Sequence, residues 1–172
     1  MSLRIVAARA ADLPAIRDLQ VASWRRAYRG ILPDAFLEDG VVAALSDRWA
    51  SLPGKAWIVD TAWVGGALAG FISVDRGHGP GAYIDNLHVA RDAQGRGVGK
   101  ALVAGAAATL HGEGVARLWL TVIDRNARAR AFYRRLGGAE GAMMPERLYG
   151  QPIRALPVEW TDLSALAALA DR

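Results

Sequence analysis

The strongest chemical signal in this chain is the stretch Gln94-Gly95-Arg96-Gly97-Val98-Gly99-Lys100. The pattern before it predicts a strand over Ala82 to Val89, and the pattern after it predicts a helix over Val98 to Leu110. A glycine-bearing turn between a strand and a helix presents backbone N–H groups at the positive end of the helix, where a phosphate or diphosphate is held. Two common phosphate loops do not fit. The mononucleotide loop needs a glycine where Gln94 stands and a hydroxyl where Ala101 stands. The dinucleotide fingerprint needs a glycine where Lys100 stands. The pattern that is met is Gln-x-x-Gly-x-Gly, at Gln94, Gly97 and Gly99.

A second segment lies downstream, Asn126-Ala127-Arg128-Ala129-Arg130-Ala131-Phe132-Tyr133-Arg134-Arg135-Leu136-Gly137. In order and separation the two segments together resemble the acetyl-CoA loop and the N-x-x-A-x-x-F-Y-x-x-x-G pattern of the GCN5-related N-acetyltransferase (GNAT) superfamily. The resemblance extends more weakly from Leu3 to about Trp160. It implies a single-domain α/β (α+β) fold over residues 3–160, with a short C-terminal helix or tail over 161–172. The implied sheet is mixed, mostly antiparallel and twisted, with helices on its flanks. Its fourth strand carries a bulge that splays it from the fifth, and the thioester of acetyl-CoA lies in that gap with pantetheine along the fourth strand. The implied activity is direct acetyl transfer from acetyl-CoA to a primary amine, on a small molecule or a peptide. Dimers are frequent in the family. The competing reading is a non-catalytic acyl-CoA sensor or a degenerate partner subunit, which keeps the glycine turn and needs no base.

Acetyl transfer to an amine requires the donor to be held, its carbonyl polarised, the amine made neutral and the leaving thiolate protonated. Holding is assigned to Gln94, Gly95, Arg96, Gly97, Val98, Gly99 and Lys100, where the backbone amides meet the diphosphate and the two cations add charge-assisted bonds. Polarisation is assigned to backbone N–H groups at Leu87, His88 and Val89. Tyr133 is the candidate acid, since a phenol near pKa 10 matches an alkyl thiol in acidity. Asn126 and Ala129 fall in the cofactor-binding set by their place in the family pattern, with Asn126 also a simple helix cap. An alkylammonium costs roughly 4 kcal/mol to neutralise at pH 7, so a base is needed. Asp85 is favoured, directly or through water, with His88 beside it on the same strand. Glu38 and Asp39 are alternatives for holding the ammonium. Trp24, Tyr28, Phe36 and Trp49 either line an aromatic acceptor pocket or belong to the helix core.

The elements that must position these groups follow from apolar periodicity. A strand is expected at Leu3 to Ala7, a helix after Asp12, and a second helical region at Ala35 to Leu52 interrupted near Gly40. Strands are expected at Ala56 to Val59 and Ala67 to Val74, with Asp60 to Gly66 between them. Apolar parity in the next strand runs Ala82, Ile84, then Leu87, Val89, and this shift predicts a β-bulge between Asp85 and Leu87. A fifth strand at Leu118 to Val122, a helix from Asn126 to Leu136, and two strands around Gly150-Gln151-Pro152 complete the order.

Composition sets outer bounds. The 172 residues suit one domain, and with half of them apolar the chain has material for a core. The absence of cysteine excludes disulfides and thiolate catalysis, and the three scattered histidines have no metal-ligand spacing. The net charge of +4 is carried almost wholly by arginine, with no aromatic-interleaved basic run of the kind that binds nucleic acid. No signal peptide or membrane span is expected, so the reading is of a cytoplasmic, bacterial-like transferase.

Overall fold

A computed structural model describes residues 2–79 and 81–171. The chain forms one eight-stranded sheet flanked by helices. Its strands are β1 (Leu3–Ala7), β2 (Trp57–Val64), β3 (Ala67–Asp75), β4 (Ala82–Val89), β5 (Leu118–Ile123), β6 (Ala139–Glu140), β7 (Met144–Leu148) and β8 (Gln151–Trp160). They are ordered β1-β2-β3-β4-β5-β8-β6, with β7 also on β8. Every pairing is antiparallel except β4 with β5. The helices are α1 (Leu13–Ala27), α2 (Val41–Arg48), α3 (Val98–Gly112), α4 (Ala127–Arg135) and α5 (Leu163–Ala167).

Two apolar clusters form on opposite faces of the sheet. Ile16, Val21 and Trp24 of α1 and Val41 and Leu45 of α2 pack with Phe71 of β3 on one face. Val98, Leu102, Ala106 and Leu110 of α3 pack with Ile72, Val74 and Leu120 on the other. The apolar stripe and small residues read from α3 thus lie against the sheet. The last helix belongs to the same core, because Leu163 and Leu166 are buried with α3.

Three local expectations need correction. Residues 60–64 do not separate two strands but complete β2, which turns into β3 at Gly65–Gly66. The polar pair Asp60 and Thr61 concealed this. Thr61 is fully buried, donating to the Val6 carbonyl and accepting from the Trp63 indole. The hairpin between β7 and β8 turns at Tyr149–Gly150, one step earlier than expected, and Pro152 already lies in β8 opposite Arg147. Asp12 precedes α1 without capping it, its carboxylate instead accepting from the Arg9 backbone and guanidinium. The interruption expected near Gly40 is a π-helical turn, Phe36–Gly40, running directly into α2.

Candidate active site

The glycine turn leaves β4 through a 3-10 turn at Arg91–Ala93 and enters α3 at Val98. Gly95 and Gly97 take φ of 79° and 80°, a left-handed backbone that costs other residues about 1–2 kcal/mol. Gln94 is part of the scaffold, since its side-chain amide donates to the Val89 carbonyl at 3.1 Å and ties the turn to the strand. The α3 ladder begins with Ala101 N–H on the Gly97 carbonyl at 2.9 Å, so the amides from Gly95 to Gly99 precede it. Gly95, Gly97, Val98 and Gly99 line the cleft at the positive end of the helix. Gly99 is also tightly packed, because a Cβ there would sit 3.2 Å from the Phe132 ring and 3.5 Å from Val89. Its bareness lets α4 close on the turn.

The expected bulge is present. Ser73 of β3 pairs with Asn86 and the next residue, Val74, with Ile84, leaving Asp85 as the extra residue. β4 and β5 pair only at Ala82–Leu118 and Tyr83–Trp119, so the strands part where the bulge begins. Ala90 N–H donates to Ala69 O, and antiparallel bonding alternates from there. The amides of Leu87 and Val89 therefore point away from β3, toward the side that β5 has vacated.

The bulge also reorganises side chains. In a regular strand Asp85 and His88 would face opposite ways; here both face α1 and α2. Asn86 is buried and is held from three sides. It accepts from Gln20 at 2.6 Å and donates to Ser73 Oγ at 3.0 Å and Asp85 Oδ2 at 2.6 Å. Gln20 in turn accepts from the Trp49 indole at 2.6 Å. Asp85 Oδ2 also accepts from Arg48 at 3.0 Å. His88 stacks near Phe71 and places Nδ1 2.9 Å from Ser23 Oγ. Burial, with Arg26 nearby, pushes the imidazole down to about 3, so it is neutral at physiological pH.

Tyr133 is buried, and the desolvation raises its phenol well above the ordinary value, with Tyr28 and Tyr83 adding to it. Among the described residues no hydrogen bond reaches its hydroxyl, which opens on the cleft. Asn126 caps α4, its side-chain oxygen accepting from Ala129 N–H at 3.2 Å. One cavity of about 1270 Å³ joins these parts, lined by Leu87, His88, Val89, Gln94, Gly95, Gly97, Val98, Gly99, Lys100, Asn126, Ala129 and Tyr133, and by Asp85. Arg96 is exposed outside its wall.

The acetyltransferase (GNAT) family model matches residues 13–138. The chain belongs to that family. A Bacillus subtilis (strain 168) relative described as the uncharacterized N-acetyltransferase YuaI is 27% identical over 175 residues, spanning 98% of this chain and 100% of its own. The probable N-acetyltransferase Rv2775 of Mycobacterium tuberculosis is 31% identical over 140 residues, 77% of each chain. The crystal structure of PaiA N-acetyltransferase from Thermoplasma acidophilum in complex with coenzyme A superposes with a TM-score of 0.72 at 19% identity, covering 93% of this chain and 100% of that one. This chain is accordingly an N-acetyltransferase of the GNAT family with the expected fold. Among the described residues no helix is long and apolar enough to cross a membrane.

At the end of the cavity away from the glycine turn, this GNAT chain divides its aromatics. Trp24 and Tyr28 line the wall, whereas Phe36 packs on Tyr149 and Trp49 fills the core against Phe71. Burial raises Tyr28 to about 12. Glu38 and Asp39 stand outside the wall. Sequence reasoning missed Arg48, Glu146, Arg147 and Tyr149, which the α2 terminus and the β7–β8 hairpin bring to this end. The hairpin itself was expected around Gly150, but no local pattern in the sequence joins its tip to the end of α2.

Proposed function

We propose that the chain transfers an acetyl group directly from acetyl-CoA to a primary amine. The observation that carries this reading is the pair of β4 amides, at Leu87 and Val89, turned toward the gap where β5 departs, in line with the glycine turn. The residues fit the coenzyme: left-handed glycines, amides ahead of the α3 ladder, and an open strand edge between turn and bulge. When bound, acetyl-CoA supplies a thioester carbonyl and a thiolate leaving group.

Amides Gly95 to Gly99 hold the diphosphate, with Lys100 adding positive charge and the α3 dipole contributing about 0.3–1 kcal/mol per favourable charge. The Leu87 and Val89 amides bind along the strand edge, and a donor at this point meets the negative charge that develops on the carbonyl oxygen. Such a donor is typically worth ~2.7–4 kcal/mol. Asp85 takes the ammonium proton at Oδ1, which carries none of the bonds made at Oδ2. Neutral His88 shapes the floor. Tyr133 Oη gives its proton to the departing sulfur. Its raised pKa does not spoil the match, because the desolvation that weakens the phenol as an acid also strengthens a thiolate as a base.

The test is an amine screen with acetyl-CoA, following free thiol and acetylated product. Turnover is expected, and Tyr133→Phe should lower kcat about 10²-fold or more while leaving KM for acetyl-CoA within about threefold. An unchanged kcat across the pH range would remove Tyr133 from the acid role. Tight coenzyme binding without turnover on any amine would overturn the transfer reading.

A further inference from the structure

The amine-binding end of the cavity carries a prepared ion pair. Arg48 ends α2 with its guanidinium 4.5 Å from the Trp49 ring centroid and 5.0 Å from that of Trp57. Two indoles thus fix the plane of the fork. One nitrogen, Nη2, donates to Asp85 Oδ2 at 3.0 Å, and among the described residues the guanidinium makes no other hydrogen bond. Arg has five N–H donors, so the edge not facing Asp85 retains most of them. Asp85 is equally half-used, because Oδ2 takes both Arg48 and Asn86 while Oδ1 takes no bond among the described residues. Both side chains line the cavity and are only partly exposed, at 24% and 34%.

A rigid cation beside a rigid carboxylate, each with one bonding edge left, is the complement of a ligand with the opposite pair of charges at similar spacing. An α-amino acid has that form. Its ammonium and carboxylate are joined through one carbon, and laid head to tail on the protein's pair they close a ring of four alternating charges. The rest of the wall at this end supports the choice. Arg26, Arg147 and Glu146 line it in addition to the pair, so the sum of these five side chains is +1. That field opposes a diamine, and it leaves a peptide N-terminus, which has no carboxylate beside its amine, with Arg48 unanswered. Trp24 and Tyr28 then provide an apolar-aromatic wall for a side chain.

We infer that the acceptor is a free α-amino acid or a close amphoteric analogue, with its carboxylate held by Arg48 and its ammonium by Asp85. This deepens the acetyl-transfer reading and rests on it. Asp85 faces the ammonium as binder and base at once, so Arg48 is the residue that sets specificity.

The experiment compares matched acceptors on the full chain: a panel of α-amino acids, their carboxamides, linear diamines and short peptides. The expected result is a kcat/KM at least about tenfold higher for some amino acid than for its carboxamide, the value of one charge-assisted contact of ~1.4 kcal/mol. Arg48→Gln should abolish that preference, mainly through KM, and Arg48→Lys should restore part of it. If Arg48→Gln does not fold, the wild-type comparison decides alone. A kcat/KM for carboxamides, diamines or peptides equal to or above that for every amino acid overturns this inference and leaves the acetyl-transfer reading standing. No acetylation of any amine overturns both.

Discussion

His88 shows how one side chain records its surroundings. Its ring sits against Phe71 and Ser23, and burial holds it at about 3, whereas an unfolded histidine titrates near 6.5. Between those two pH values the unfolded chain takes a proton that the folded chain refuses. Folding is therefore weakened as pH falls from 6.5 toward 3, by up to about 1.4 kcal/mol per pH unit. The ring is only half-buried, so water in the cleft reduces that figure. Urea midpoints at pH 7 and pH 5 measure it. The wild type should lose more stability over this interval than His88→Gln, and equal losses would mean that the ring is solvated. Asp85 and Arg48 illustrate a different lesson at this scale. Asp85 was legible as a candidate from its strand position alone. Its partner was not, because 37 residues separate the two and no local pattern links them.

The bulge in β4 is the element on which the site depends. One extra residue turns Asp85 and Asn86 to the same face, frees the Leu87 and Val89 amides from β3, and begins the departure of β5. The parity break at Asp85 announced it in the sequence, since a twofold period is local. What stabilises it was not announced: Asn86 is bonded to Gln20, 66 residues away, and His88 to Ser23, 65 residues away. Such contacts exist only once α1 lies across the sheet. Asn86→Ala would leave Gln20 and Ser73 without their buried partner, at a cost of about 1–3 kcal/mol. The expected outcome is a lower urea midpoint with a raised KM for the acceptor and little change in coenzyme affinity, read by equilibrium unfolding, kinetics and calorimetry. A variant with unaltered stability would show that Asn86 is not the anchor. The glycine turn behaves oppositely: its residues were legible because nearly all of its geometry is set within seven positions. Gly99 answers in addition to a distant constraint, its neighbour being Phe132 on another helix.

The whole molecule is two apolar layers with a sheet between them, and the cavity opens where the sheet divides. The family resemblance foretold this architecture, and the comparisons agree. The terminal helix, which the sequence left as an appendage, seals the α3 layer through Leu163 and Leu166. Leu166→Ala should therefore destabilise the domain by about 2–5 kcal/mol, seen as a lowered Tm, with kcat per folded molecule intact; a Tm within a degree of wild type would make α5 dispensable. On the opposite layer, Trp24 is the one indole of the six that lines the cavity wall among the described residues, with Tyr28 and Tyr149 edge-on to it. Its indole N–H is buried without a protein partner. The molecule thus carries an intrinsic fluorophore where occupancy would alter the surroundings, and emission from that ring reports on the acceptor chamber without any attached dye.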